Sequence, residues 1–299
     1  MEVIFLNMIK NSNTVYERQN QPEMQALIVA QHFAYTSAKR WVLSLFFILV
    51  IIPLGINVAL FFNLSDTIIG ILSFLSIILL FVGEIVKSHI ENTKAKAAHL
   101  QQKFDLFVFD MNSNIGIDEN IIAEAMEKYS KKDWYRKKNW YQNYENISEL
   151  ETVFYCQKEN IDWTGNLAKR YCYFLLSIIS LIFISFFINL IVNKSSILKL
   201  LSILVSAIPL LSYGLSSYKK IKHDNKELIE LDRLAKEINS NIAVMSEREL
   251  QNKIYILQTM IYQFRKTKYL IPDWFECKFY PFLQALEKRT ADMRKNRNR

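Results

Sequence analysis

Glycine is scarce, with six residues in 299. Four of them fall inside long apolar blocks, which leaves only Gly116 and Gly165 in polar sequence. A phosphate cradle needs closely spaced glycines ahead of a helix, so neither a P-loop nor a GxGxxG turn can be built. Histidine is as sparse: His32, His89, His99 and His223 are scattered, no HExxH pair exists, and no GxSxG elbow occurs. Cys156, Cys172 and Cys277 form no CxxC pair, which argues against a disulfide framework or a thiolate zinc site. These gaps predict a protein that is not an enzyme and carries no metal and no cofactor. Acidic residues are also in deficit, 29 against 37 Lys and Arg, for a net charge of +8.

Apolar residues, by contrast, make up 51% of the chain, and they are segregated from the charged ones. A single soluble domain would spread them through amphipathic segments instead. Four blocks reach the roughly 17–25 low-polarity residues that cross a bilayer. They run from Trp41 to Phe62, about Thr67 to Val86, Tyr171 to Val192, and about Ile197 to Tyr218. The gaps Asn63-Leu64-Ser65-Asp66 and Asn193-Lys194-Ser195-Ser196 are short enough to join only antiparallel neighbours, so two helical hairpins are predicted. Residues 1–40 are mixed and polar, and the first block is too long for a signal-peptide core.

Orientation follows the distribution of Lys and Arg. Residues 1–40 hold 4, 87–170 hold 13 and 218–299 hold 18, whereas the turns hold only Lys194, with Lys199 just inside the fourth block. Both termini are therefore expected in the cytoplasm. The predicted fold is an all-α integral membrane protein lodged in a lipid bilayer. It divides into a cytoplasmic N-terminal helix (1–40), a first transmembrane hairpin (41–86), a central cytoplasmic region (87–170), a second hairpin (171–218) and a C-terminal helical region with a basic tail (219–299). The three polar pieces are expected to form one helical domain.

Within those pieces, Pro22 suits a first helical turn, and a helix is predicted from there to Arg40. Residues 87–110 continue the second membrane helix, and another helix covers 118–130. Leu231, Leu234, Ile238, Ile242 and Met245 recur at helical spacing, which restarts at Leu250, Ile254, Leu257, Ile261 and Phe264. Ser246 and Glu249 make a capping box at the restart, and Ile271-Pro272-Asp273 ends that stretch. Pro53 and Pro209 are placed to kink the first and fourth membrane helices.

Two features carry chemistry. The run 131–141 interleaves Lys and Arg with Trp and Tyr. Cations of that kind pair with phosphates while rings stack on bases, and equally they rest on anionic headgroups. Both readings stand from composition alone. Inside the membrane blocks, Asn57, Glu84, Asn189 and Lys199 are expensive and should face helices or water rather than lipid. Glu84 and Lys199 lie near opposite faces, so each is expected to snorkel rather than pair with the other.

The chain resembles the SMODS-associating four-transmembrane effectors, the pore-forming effectors of cyclic-oligonucleotide-based antiphage signalling (CBASS). The resemblance rests on Arg18-Gln19-Asn20, Gln31, Tyr35, Ala38-Lys39, Gln101 and Phe104-Asp105, then Cys156-Gln157, Asn160, Trp163 and Arg170-Tyr171, then Ile254-Tyr255, Arg265 and Ile271-Pro272-Asp273-Trp274. The chain departs from the family at Met111-Asn112, where Trp-Asn is usual, and at Thr164, where an Asp is usual. The resemblance implies a bacterial inner-membrane protein, working as a homo-oligomer, that senses a cyclic di- or trinucleotide from a partner nucleotidyltransferase. It implies no nucleic-acid polymer as partner. Its output would be membrane disruption and abortive infection. Trp134, Arg136, Lys137, Lys138, Trp140, Trp163 and Arg265 are the residues expected to hold the nucleotide. The competing expectation is a constitutive channel, transporter subunit or scaffold whose basic patch binds lipid.

Overall fold

Three helices of 43 to 45 residues dominate the chain. At 1.5 Å per residue each is about 65 Å long, twice the roughly 30 Å hydrocarbon core of a bilayer. The apolar half of each therefore crosses the membrane, and the polar half must project from it. The computed structural model describes residues 14–62, 64–111, 118–130, 138–144, 147–192 and 197–297.

Helix α1 (Val15–Gln19) is capped by the Thr14 hydroxyl, which accepts the Glu17 N–H. Helix α2 (Pro22–Phe46) runs on into the membrane, passes through a single π-helical turn at Phe47–Ile51 and continues as α3 (Ile52–Ala59). Pro53 explains the turn. It offers no N–H to the preceding turn, so the ladder loosens there. Helix α4 (Asp66–Val108) is the second crossing. It ends in a Schellman motif: Met111 N–H bonds to Leu106 carbonyl and Asp110 N–H to Phe107 carbonyl, with Asp110 at φ 50°. Helix α5 (Glu119–Tyr129) starts at Asp118, whose carboxylate accepts the Asn120 and Ile121 N–H groups. Helices α6 (Glu149–Val192) and α7 (Ile197–Asn241) form the second hairpin, and α7 carries Pro209 in its interior. Helix α8 (Glu247–Thr267) is capped by Ser246, and α9 (Asp273–Arg297) closes the chain.

The four-crossing all-α architecture is as expected, and no strand occurs among the described residues. Two elements exceed the expectation. The helix that carries the third crossing already begins at Glu149, ahead of the apolar block, and a long final helix follows Pro272.

The polar halves of α2, α4, α6 and α7 gather on one side with α1, α5 and α8. Ile28, Phe104, Phe154, Leu231, Ile238 and Leu257 lie at the centre of that polar domain. A second apolar cluster joins the membrane halves, where the first crossing packs on α4 and both pack on α7, while α6 leans on α7. The remaining membrane faces carry large exposed apolar side chains such as Phe81 (69% exposed) and Phe187. That much apolar surface is sustainable in lipid, not in water.

Gly83 sets how closely the first two crossings approach. A Cβ there would stand 2.8 Å from Leu49 Cδ2, and Leu49 is one of the two buried residues of the π turn, with Val50. Gly70, on the same helix, has open space around it. Gly83→Leu is thus expected to destabilise the protein by about 1–3 kcal/mol through overpacking, and Gly70→Leu to be neutral or slightly stabilising. Thermal unfolding of the two variants in detergent checks this.

Candidate functional site

The polar domain encloses a carboxylate with no access to solvent. Asp105, near the end of α4, is 0% exposed and faces Arg265 of α8, which is 4% exposed. Arg265 Nη1 donates to Asp105 Oδ2 at 2.5 Å, and Gln258, two turns earlier on α8, donates to the same oxygen at 3.1 Å. Tyr141 O–H donates to Oδ1 at 2.7 Å. Burial works against the Arg265 charge, but Asp105, Tyr141 and Tyr35 together outweigh it and hold the guanidinium above its ordinary value. Burial, then Asp105, pushes the Tyr141 phenol well up, so it stays protonated as a donor.

Hydrogen bonds extend outward from this pair. Gln157 of α6 donates to Gln258 Oε1 at 3.1 Å and to the Ile254 carbonyl at 3.0 Å, while Asn160 donates to the Tyr141 hydroxyl at 2.9 Å. The Gln19 amide brackets the backbone of Tyr141, accepting its N–H at 2.7 Å and donating to its carbonyl at 3.2 Å. Asn20 accepts the Asn139 N–H at 3.1 Å and donates to the Asn139 side-chain Oδ1 at 3.0 Å, and the Asn139 φ of 55° is one that Asn tolerates. Arg18 donates to the Val108 carbonyl at 2.7 Å, a cation on the open end of α4, and pairs with Glu149 at the start of α6. The Arg18-Gln19-Asn20 triplet therefore ties three separate segments to the Asp105 centre.

The polar column continues toward the membrane. Tyr35 reaches Gln101 at 3.4 Å, and one turn further along α2 Lys39 sits between Asp273 and Glu276 of α9, 2.7 Å from each. Burial lowers the Lys39 affinity for its proton, yet the two carboxylates reverse the sign and raise it.

Residues 267–276 touch every membrane helix. Lys39 holds α9 to the first crossing, and Lys94 of α4 donates to the Thr267 and Lys268 carbonyls at 3.1 Å each. Tyr171 of α6 packs its ring on Tyr269 and Phe275. On α7, Asp224 accepts the Tyr269 N–H and Tyr213 meets the Tyr269 hydroxyl at 3.2 Å. We call this the four-helix junction. Trp274, 52% exposed, and Phe282 flank it beside Phe174 and Arg170, in the manner of interfacial aromatic anchors.

The predicted nucleotide-binding residues distribute unevenly. Trp134, Arg136 and Lys137 lie outside the described residues, and Lys138 is exposed. Trp140 packs edge-on to Phe104, beside Tyr141 and hence near the buried pair that contains Arg265. Trp163 stands apart, stacked edge-on to Tyr280 of α9. It lines a cavity of about 100 Å³ between α6 and α9 with Glu159, Asp162, Glu287 and Arg294. That volume is below the usual ligand range, and its carboxylates repel an anion. Asp105 itself escaped the site prediction. Its signal was a lone carboxylate inside Phe104-Asp105-Leu106-Phe107-Val108-Phe109, since an acid amid apolar residues requires a buried partner.

In the membrane, Asn57 is 0% exposed, and Ser202, Ser206 and Lys199 are buried with it at the end of the bundle away from the polar domain. Lys199 is thus turned inward and does not snorkel. Glu84 is exposed and pairs with Lys87 at 2.6 Å. Asn189 lies in α6, with its side chain outside the description. Among the described residues, no His, Cys, Asp and Glu cluster is able to hold a metal ion.

A protein-family model described as the SMODS-associating 4TM effector domain matches residues 13–294. No curated protein and no solved structure matches the chain.

Removing one partner of the buried pair strands the other. Asp105→Ala and Arg265→Ala should each cost about 3–5 kcal/mol, and the double variant much less than their sum, as chemical denaturation in detergent would measure. Glu159 supplies a pH test. Burial lifts its carboxyl to about 7, despite donation from Tyr144 and Gln142 and the nearby Arg294. Because this pKa is raised, folding stability should fall as pH climbs from the ordinary 4.5 to about 7. Glu159→Gln should flatten that part of a melting-temperature profile.

Proposed function

Since the chain belongs to the SMODS-associating 4TM effector family, we propose that this multi-pass membrane protein binds a cyclic oligonucleotide in its polar domain and in response permeabilises the membrane. The polar domain then faces the cytoplasm, as the Lys and Arg bias requires, and the membrane is the bacterial inner one. The observation that carries the reading is the four-helix junction. One ten-residue stretch, 267–276, meets all four crossings and begins where Arg265 completes the buried centre.

A ligand can bias such an assembly only by as much as it prefers one arrangement. Converting a mostly closed population to a mostly open one takes roughly 5 kcal/mol of differential binding. Several phosphate contacts to the basic run 131–138 and the neighbouring Trp140 are of that order. The membrane response is either a rearrangement of the two hairpins or the association of several subunits through their apolar faces. No catalytic step is part of this function.

The test uses full-length protein in vesicles loaded with a small dye and a panel of cyclic di- and trinucleotides. One of these is expected to bind and to trigger release, which untreated vesicles resist. Lys137→Glu with Lys138→Glu should abolish binding without impairing insertion, and unchanged affinity would remove those residues from the site. Asp273→Asn with Glu276→Gln should leave binding intact and raise the ligand needed for release several-fold. Steady leakage with no bound nucleotide would establish the constitutive-channel reading instead.

A further inference from the structure

Lys268 sits in the junction through its backbone, but the partners of its side chain are unusual. Its ammonium lies 5.4 Å from the Tyr35 ring centroid and, among the described residues, no carboxylate is within ion-pairing distance. The nearby acids are engaged elsewhere. Glu276 is paired with Lys39, and Asp224 accepts the Tyr269 N–H and faces Lys220. The remaining neighbours are cations, Arg265 and Lys39. Burial, and then those two charges, depress the Lys268 ammonium to about 8. Arg265 adds a second unmet donor: its Nη1 serves Asp105, but its buried Nη2 has no acceptor in the protein.

An ammonium without a counterion and a guanidinium nitrogen without an acceptor, three residues apart across the end of α8 and near enough for their charges to repel, are the two halves of an oxyanion site. We propose that Lys268 and Arg265 Nη2 form a seat for a phosphodiester anion at the membrane end of the polar domain. Lys268 as a residue is half-buried rather than sealed, so the seat lies near the surface of the polar domain. Lys39 and Arg40 immediately precede the first apolar block, which puts the seat close to headgroup level. A phosphodiester reaches it either from an anionic phospholipid or from a cyclic oligonucleotide, because both carry this group. An anion held there would bear on the segment that meets all four crossings. That last consequence rests on the effector reading, whereas the seat itself does not.

The experiment is trace acetylation of Lys268 across a pH series, read by mass spectrometry on full-length protein in a phosphate-free maltoside detergent. Only the neutral amine reacts, so the midpoint should lie near 8. Phosphatidylglycerol, cyclic di-AMP or cyclic tri-AMP is then added. Occupation of the seat should move the midpoint up by about one unit and slow labelling at the original midpoint about fivefold. Protection by phosphatidylglycerol alone identifies a lipid site, and protection by a nucleotide alone a messenger site. If none of the three protects, the proposal is overturned. Nucleotide that binds without protecting Lys268 overturns the seat but leaves the effector reading standing. Lipid protection without any nucleotide binding supports the seat and counts against that reading. Lys268→Arg should keep affinity for the protecting probe and Lys268→Met lose it. Should the Met variant fail to fold, the labelling of the unaltered chain decides the matter.

Discussion

Asp105 facing Arg265 is the constraint on which the polar domain depends. Neither charge has water to fall back on, so each must be matched by fixed donors and acceptors. The matching draws on five segments: α4 supplies Asp105, α8 supplies Arg265 and Gln258, the 138–144 stretch supplies Tyr141, and α1 and α6 hold Tyr141 in turn through Gln19 and Asn160. Apolar packing alone would allow these helices to slide past one another by a turn. A buried carboxylate with three donors admits one register. Its worth is therefore more in specificity than in net stability, since an apolar replacement of similar volume often stabilises as well.

Much of this architecture was legible in the sequence. Uninterrupted apolar length announced the four crossings, and the gaps between blocks were too short for anything but hairpins. Helical spacing in 250–264 anticipated α8, down to its Ser246 cap. Legibility failed where helices pass from lipid into protein. The first half of α6 mixes Lys158, Asp162 and Asn166 with Phe154 and Ile161, because it packs on α8 and α9 at once. A surface shared between two partners leaves no single apolar stripe. The site was readable only in part. Arg265 and Trp140 were marked as cation and aromatic, and the structure sets them close to one buried acid. The acid itself, and the glutamines around it, have no local signature, because their roles exist only once residues about 150 positions apart are in contact.

The family motifs acquire a physical meaning in this light. Residues such as Gln19, Gln157 and Asn160 are poor choices for an exposed binding surface and good ones for a buried lattice, since an amide presents a donor and an acceptor at fixed geometry. Most of the residues that carry the resemblance lie in the polar column, and Ile271-Pro272-Asp273-Trp274 lies in the junction. What the family pattern describes is the framework that ties the polar domain to the membrane. Lys138, by contrast, is exposed and unconstrained by packing.

The distribution of irregularity along the crossings bears on how motion travels. Helices α4 and α6 are continuous through polar domain and membrane, so a tilt applied at one end reaches the other undiminished. The first crossing is different. Its π turn at Phe47–Ile51 falls within the bilayer, followed by Pro53, and Leu49 on that turn is keyed into the notch at Gly83. A π turn already lacks the regular ladder, so the segment beyond it, which carries Asn57, can reorient at lower cost than any comparable stretch of α4. Pro209 removes one backbone hydrogen bond from α7, which otherwise stays a continuous helix and is the one on which all the other crossings lean. The π turn thus divides the first crossing between a half clamped through Lys39 to the 267–276 segment and a far half that holds the buried Asn57. The far half is held differently: Asn57, Ser202 and Ser206 are sealed from lipid inside the bundle, where a polar group must be met by another helix.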